Sequence, residues 1–151
     1  MDSPNRHTLD DPFHLGRFVR AQAPVYDQVL DELRHGHKET HWMWFVFPQL
    51  DGLGASPTSK FYGISGPDEA RAYLKHALLG PRLIECASTL LQIEGRSARD
   101  ILGTPDDLKL HSSATLFASV SPTGSVFDRL LDKYFGGQRD GRTSESLAAD
   151  A

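Results

Sequence analysis

The chain has one cysteine, Cys86, so a disulfide within it is excluded. It has no apolar run near the ~20 residues that a membrane-spanning helix needs, which excludes that class. Its 16 lysines and arginines form no basic cluster, and the formal net charge is −4. That balance speaks against a nucleic-acid binder. The first ten residues are polar and hold Pro4 and two aspartates. They lack the basic start and apolar stretch of a secretory signal. The expected location is the cytoplasm, where a lone thiol stays reduced. Neither a repeat nor a second domain is visible. A chain of 151 residues reads as one domain, long enough for a real core.

Aromatic residues are concentrated in one place. His41-Trp42-Met43-Trp44-Phe45-Val46-Phe47-Pro48-Gln49-Leu50 holds both tryptophans and two of the eight phenylalanines. Four buried aromatics at ~150–250 Å² each would contribute a gross hydrophobic gain of roughly 15–25 kcal/mol, an upper bound before entropy. The rest of the fold is expected to pack around this run. Periodicity does not separate a buried strand from a buried helix over so short a length. No convincing second strand accompanies it, so a helix over about 38–47, ended by Pro48, is expected.

The remaining segments read as helices. Residues 1–10 are expected to be flexible. Asp10-Asp11-Pro12 is a helix start, with a capping carboxylate before proline. Pro24 divides residues 12–35 into two helices or one kinked helix, ended by Gly36. Residues 48–66 carry Gly52, Gly54, Pro57, Gly63 and Gly66, a long loop of the kind that often holds function. Pro67 opens a helix with Asp68 and Glu69 in its first turn. Gly80-Pro81 separates it from a helix over 81–94. Ser97 caps a short turn ended by Gly103. Thr104-Pro105-Asp106-Asp107 starts the next helix, and Val126–Phe135 is amphipathic and ends at Gly136-Gly137. The expected architecture is all-α: a single-domain orthogonal bundle of five to seven helices over residues 11–137. Residues 138–151 are expected to be a polar, partly ordered tail.

These motifs also carry a family likeness. The aromatic decapeptide, followed by Gly52-Leu53-Gly54, Ser56, Ser59, Tyr62 and Ile64, resembles the family catalogued as domain of unknown function 1810. The likeness runs on through His76, Leu79-Gly80, Arg82-Leu83 and Glu85. It continues with Asp107, Lys109-Leu110, Ser112-Ser113 and Thr115-Leu116-Phe117, then Tyr134-Phe135 and Asp140. It spans nearly the whole chain. It implies a small, mostly bacterial, all-helical protein and no established activity. Some members carry the label calpastatin. That inhibitor is disordered, whereas this chain is rich in core-forming residues. Ala77 and Ala114 replace a usual proline and methionine, and both read as packing changes. A fainter similarity, to the YbiA-like (NADAR) N-glycosidases, rests on Leu79-Gly80, Lys109, Phe135-Gly136-Gly137 and Asp140. Phe135 stands where that family has a tryptophan, and its upstream glutamate motif has no equivalent here.

Several residues have possible chemistry. His37 and His41 are four apart, a spacing that can ligate zinc on a helix. Glu39 is misplaced for the zincin motif and no third ligand is identifiable, so no metal is assigned. His41 is either a ligand contact or a helix-entry residue bonded to a backbone carbonyl. Gln49, Ser56, Ser59 and Tyr62 suit a polar ligand beside an aromatic ring, or simply a loop holding itself to the bundle. Trp42 and Trp44 diverge by about 200° on a helix, so at most one, taken as Trp44, would line a pocket. Ser112 and Ser113 diverge by about 100°, so at most one faces a given pocket squarely. Either one, with Lys109, would donate to an anionic or sugar ligand. Otherwise they bond back to the preceding turn. Asp107 and Asp140 are the candidate acids, against plain roles as helix-start and solvated tail residues. Cys86 on its apolar helix reads as inert.

Two functions follow. The first is a domain that binds a small polar ligand or a protein without catalysis, as a monomer or homodimer and without a cofactor. The second is an N-glycosidase-like enzyme on a nucleotide-sugar or ADP-ribose-type substrate. There a carboxylate, Asp140 or Asp107, would support departure of the base and Lys109 would hold phosphate. This enzyme reading needs Lys109, a serine and a carboxylate in one concave pocket.

Overall fold

The computed structural model describes residues 10–149. Apart from Asp10, the stretch expected to be flexible lies outside the described residues. Among the described residues the chain forms ten helices and no strand. They are α1 Gly16–Gln22, α2 Tyr26–Arg34, α3 Met43–Val46, α4 Pro57–Phe61, α5 Pro67–Lys75, α6 Leu79–Leu91, α7 Ala98–Leu102, α8 Asp106–Ser119, α9 Val126–Phe135 and α10 Gly141–Ala149. The all-α bundle is as expected. The count exceeds five to seven because α3, α4 and α7 are single turns of four or five residues.

The central element is α8, not the aromatic run. It packs against α3, α5, α7, α9 and α10. Leu110, Ala114, Leu116, Phe117 and Ala118 are buried on it, and so are Ser112, Ser113 and Thr115. A helix covered on most sides has no polar stripe to reveal its position. Aromatic rings link it to its neighbours. Phe18 of α1 meets Tyr73 of α5 edge-on at 5.1 Å, Tyr73 meets Phe117 at 5.4 Å, and Phe117 meets Phe127 of α9 at 5.6 Å. The α5–α6 joint needs Gly80, because a Cβ there would lie 2.1 Å from the Leu74 carbonyl oxygen.

The aromatic run is buried at Trp42, Met43, Val46, Phe47 and Leu50, but its helix is only α3. Glu32, in the last turn of α2, explains the difference. Its carboxylate accepts the backbone N–H of Glu39 at 2.7 Å and of Thr40 at 3.0 Å. It also accepts the Thr40 hydroxyl at 2.6 Å and Trp42 Nε1 at 3.0 Å. The Lys38 N–H donates to the Ile101 carbonyl at 2.7 Å. These bonds tie the backbone of 38–40 to Glu32 and Ile101, and 38–42 is not helical.

The long loop at 48–66 is closed rather than open. Leu50 and Ile64 form an isolated parallel bridge, and α4 sits inside the loop with Ser56 as its cap. Arg17, buried on α1, fastens it. Its guanidinium donates to the carbonyls of Phe61 (2.8 Å), Gly63 (2.9 Å), Phe13 (2.7 Å) and His14 (2.9 Å), and to Glu69 Oε2 (2.8 Å).

Two terminal expectations are corrected. Asp11 does cap a helix, but one turn later than Pro12 suggested: its carboxylate accepts the N–H groups of Leu15 and Gly16. The expected tail contains α10, which docks on α8 through the fully buried Thr143. Residues 150 and 151 lie outside the described residues.

Candidate functional site

A cleft of about 290 Å³ opens where the 49–59 loop, the start of α8 and the start of α10 meet. Gln49, Leu53, Gly54, Ser59, Pro105, Leu108, Lys109, Ser112, Asp140 and Arg142 line it. Each side chain has an identifiable holder. Asp140 is the cap of α10: its Oδ2 accepts the Thr143 N–H at 3.0 Å and the Thr143 hydroxyl. Its own N–H donates to Thr115 Oγ1 at 2.9 Å. The turn leading to it is pinned by His111, which stacks flat on Phe135 at 4.2 Å with Nε2 2.7 Å from the Gln138 carbonyl. A carbonyl only accepts, so Nε2 carries the proton.

The same logic orients Ser112. Its Oγ lies 2.8 Å from Thr143 Oγ1. Thr143 has one hydroxyl proton and gives it to the Asp140 carboxylate. Ser112 is therefore the donor to Thr143, and its lone pairs are left for the cleft. Ser59 is placed by Ser56, whose Oγ accepts the Ser59 N–H at 3.1 Å and lies 2.8 Å from the Ser59 hydroxyl. Gly54 permits this approach: a Cβ there would lie 2.6 Å from Ser59 Oγ.

The charges are unequal. Lys109 Nζ lies 3.5 Å from Asp106 Oδ1 and 4.4 Å from the centroid of the Trp44 ring. Asp106 Oδ2 is also held by Lys38 Nζ at 3.0 Å. Two ammonium groups share one carboxylate, so one positive charge is unbalanced beside the cleft. Arg142 adds another; its Nη2 donates to the Leu53 carbonyl at 3.3 Å. Among the described residues it has no acidic partner. The cleft thus offers two cations, the Asp140 carboxylate, an amide and hydroxyl groups, with Leu53, Pro105 and Leu108 as apolar edges.

Of the residues predicted from sequence, Gln49, Ser59, Lys109, Ser112 and Asp140 line this cleft, and Ser56 backs it. His41, Trp44, Tyr62, Ser113 and Asp107 do not line it. His41 is exposed on the non-helical run, so its spacing from His37 puts them on no common helix face. Among the described residues no three His, Cys, Asp or Glu side chains gather as a metal site. Trp44 supports Lys109 from outside the lining. Tyr62 packs against Phe18, Phe45 and Phe61. Asp107 accepts the Thr104 hydroxyl at 2.6 Å. Ser113 is buried with no hydrogen-bond partner among the described residues. Burial pushes the Cys86 thiol up to about 12, against the pull of the Tyr26 hydroxyl, so it is no nucleophile near neutral pH. Arg142, Leu53, Gly54, Pro105 and Leu108 were missed. Asp140 is of the residue type favoured at a helix start, the one signal that could have located α10 and with it Arg142.

A family model described as protein of unknown function (DUF1810) matches residues 12–147. The chain belongs to the DUF1810 family. The matched span of this DUF1810 chain takes in the whole cleft. The crystal structure of the conserved hypothetical protein Rv1873 from Mycobacterium tuberculosis is similar, with 59% identity and a TM-score of 0.90. The match covers 91% of this chain and 99% of that one. No curated protein matches the chain.

Proposed function

We propose that the cleft binds a small, negatively charged polar ligand and that the chain is a non-catalytic binding domain. The observation that carries this reading is the convergence of Lys109 and Arg142, from α8 and α10, with Gln49 and Ser59 in one concavity, where Asp140 is the single carboxylate. Its volume of about 290 Å³ lies just below the ~300–1,000 Å³ range of ligand sites. The setting we infer is cytoplasmic, in keeping with the free, buried Cys86. Among the described residues no helix is long and apolar enough to cross a membrane.

The test is thermal shift against ADP-ribose, NAD, nucleotides, sugar phosphates and divalent metals. A ligand at 100 times its dissociation constant adds roughly 2.7 kcal/mol, a rise of several degrees for a domain this size. The expected hit is an anion whose effect is clearly reduced in Lys109→Ala. A flat panel, or a shift of the same size in Lys109→Ala, would overturn the reading.

A second reading has one observation in its favour. Lys109, Ser112 and Asp140 do share the cleft, as an N-glycosidase-like site acting on a nucleotide-sugar or ADP-ribose-type substrate requires. Asp140→Asn is a clean probe, because asparagine caps a helix as well as aspartate does but carries no charge. Under this reading base release from an ADP-ribose-type substrate is lost in Asp140→Asn and in Lys109→Ala. Turnover retained in both would rule it out.

A further inference from the structure

We infer that the ligand class is a phosphomonoester of a small polyol that bears no aromatic base, an inference that rests on the cleft being an anion site. The donors come from three elements: Gln49 from the loop, Lys109 from α8 and Arg142 from α10. Groups arriving from several directions suit a tetrahedral phosphate, whose three terminal oxygens accept all round. A planar carboxylate accepts in one plane and leaves donors unused.

The cleft also holds acceptors. Ser112 spends its proton on Thr143, and Asp140 is a carboxylate. A phosphate oxygen would be repelled by both. Hydroxyl groups of a polyol, carried next to the phosphate, are the donors that match them. Lys109 and Arg142 on the one hand, and Ser112 and Asp140 on the other, therefore specify a ligand with both an anion and hydroxyls.

A nucleobase has no platform. Among the described residues no aromatic ring lines the cleft. The Trp44 ring lies under Lys109 at 4.4 Å. Tyr62 is packed against Phe18 at 5.8 Å, Phe45 at 5.6 Å and Phe61 at 4.8 Å. Base stacking on an aromatic side chain contributes about 1–3 kcal/mol where it exists, and it is missing here. The volume of about 290 Å³ suits one sugar-phosphate unit.

The experiment is titration of the full chain with ribose 5-phosphate, glycerol 3-phosphate, AMP, inorganic phosphate and glycerate, read by calorimetry and by Trp44 fluorescence. Lys109 touches the Trp44 ring, so a ligand that engages its ammonium alters the emission. The polyol phosphates should bind more tightly than inorganic phosphate and glycerate, and more tightly than AMP. Lys109→Ala and Arg142→Ala should each weaken them roughly 10- to 100-fold. Their circular dichroism should match the parent. AMP binding as tightly as ribose 5-phosphate would overturn the inference and leave the anion-binding reading standing. Glycerate binding as tightly would overturn the phosphate assignment. No binding by any of the five would overturn the inference and the reading beneath it.

Discussion

Glu32 and Lys109 are both charged residues on helices, and their surroundings treat them in opposite ways. Glu32 is 4% exposed and accepts hydrogen bonds from Gln28, Glu39, Thr40 and Trp42. Burial by itself would raise its carboxyl. The bonds from Thr40, Glu39 and Trp42 outweigh that and hold it down at about 2. Lys109 shares Asp106 with Lys38 and has one ring beneath it, and it still lines an open cleft. A saturated charge is part of the scaffold, and an unsaturated charge at a concave surface is available to a ligand. Arg17 belongs with Glu32, since its guanidinium already reaches four carbonyls and the Glu69 carboxylate.

The comparison breaks most visibly at the saturated end. Trp42 is 1% exposed and its Nε1 feeds Glu32, so Trp42→Ala should destabilise by about 3–5 kcal/mol in urea titration. A loss below about 1 kcal/mol would contradict its core role. Arg17→Met should cost about 3–4 kcal/mol, because it leaves Glu69 as an uncompensated buried charge. Equal midpoints for the variant and the parent would mean that the loop closes without this clamp.

Acid should release the Glu32 knot. Its carboxyl is lowered from 4.5 to about 2 on folding. The unfolded chain therefore binds the proton first as pH falls. The contribution, roughly 3 kcal/mol, is whole above about pH 4.5 and is lost as pH falls toward 2. Glu32→Gln should start less stable and show a flatter acid limb in denaturant midpoints taken from pH 5 to pH 2. An unchanged acid limb would separate Glu32 from the acid response.

The smallest expected effect is at the open end. Lys109→Ala should change stability by less than about 1 kcal/mol, because its contact with Asp106 is long at 3.5 Å and Lys38 still holds that carboxylate, while weakening ligand binding. If Lys109→Ala instead unfolds the protein, Lys109 is scaffold like Arg17 and the contrast fails.

Much of the fold was legible in short motifs. Ser97 with Asp100 forms a capping box, Pro67 opens α5, and Gly136 ends α9 in the left-handed region. These signals are local, since a cap and its helix are neighbours in the chain. The run 38–42 was misread because it is held by Glu32, earlier in the chain, and no period reports that. The tail was misread because α10 is largely polar, and its one fully buried residue, Thr143, looks like a surface residue until Ser112 meets it. Within the site, Ser112 stood out as a polar residue in an apolar segment, and Lys109 through the family likeness. Arg142 did not, since an arginine in a polar stretch looks solvated.

By itself the sequence determined the helical class, most helix ends, the apolar residues that form the core and the position of the long loop. All of these rest on spacing along the chain and on the transfer of apolar groups from water. Only the tertiary structure decided which charges are saturated and which face a cleft. That outcome depends on groups far apart in sequence, such as Arg17 with Glu69, Lys38 with Asp106, and Ser112 with Thr143. A hydrogen bond needs its partners within about 3 Å, and only the packed chain sets that distance.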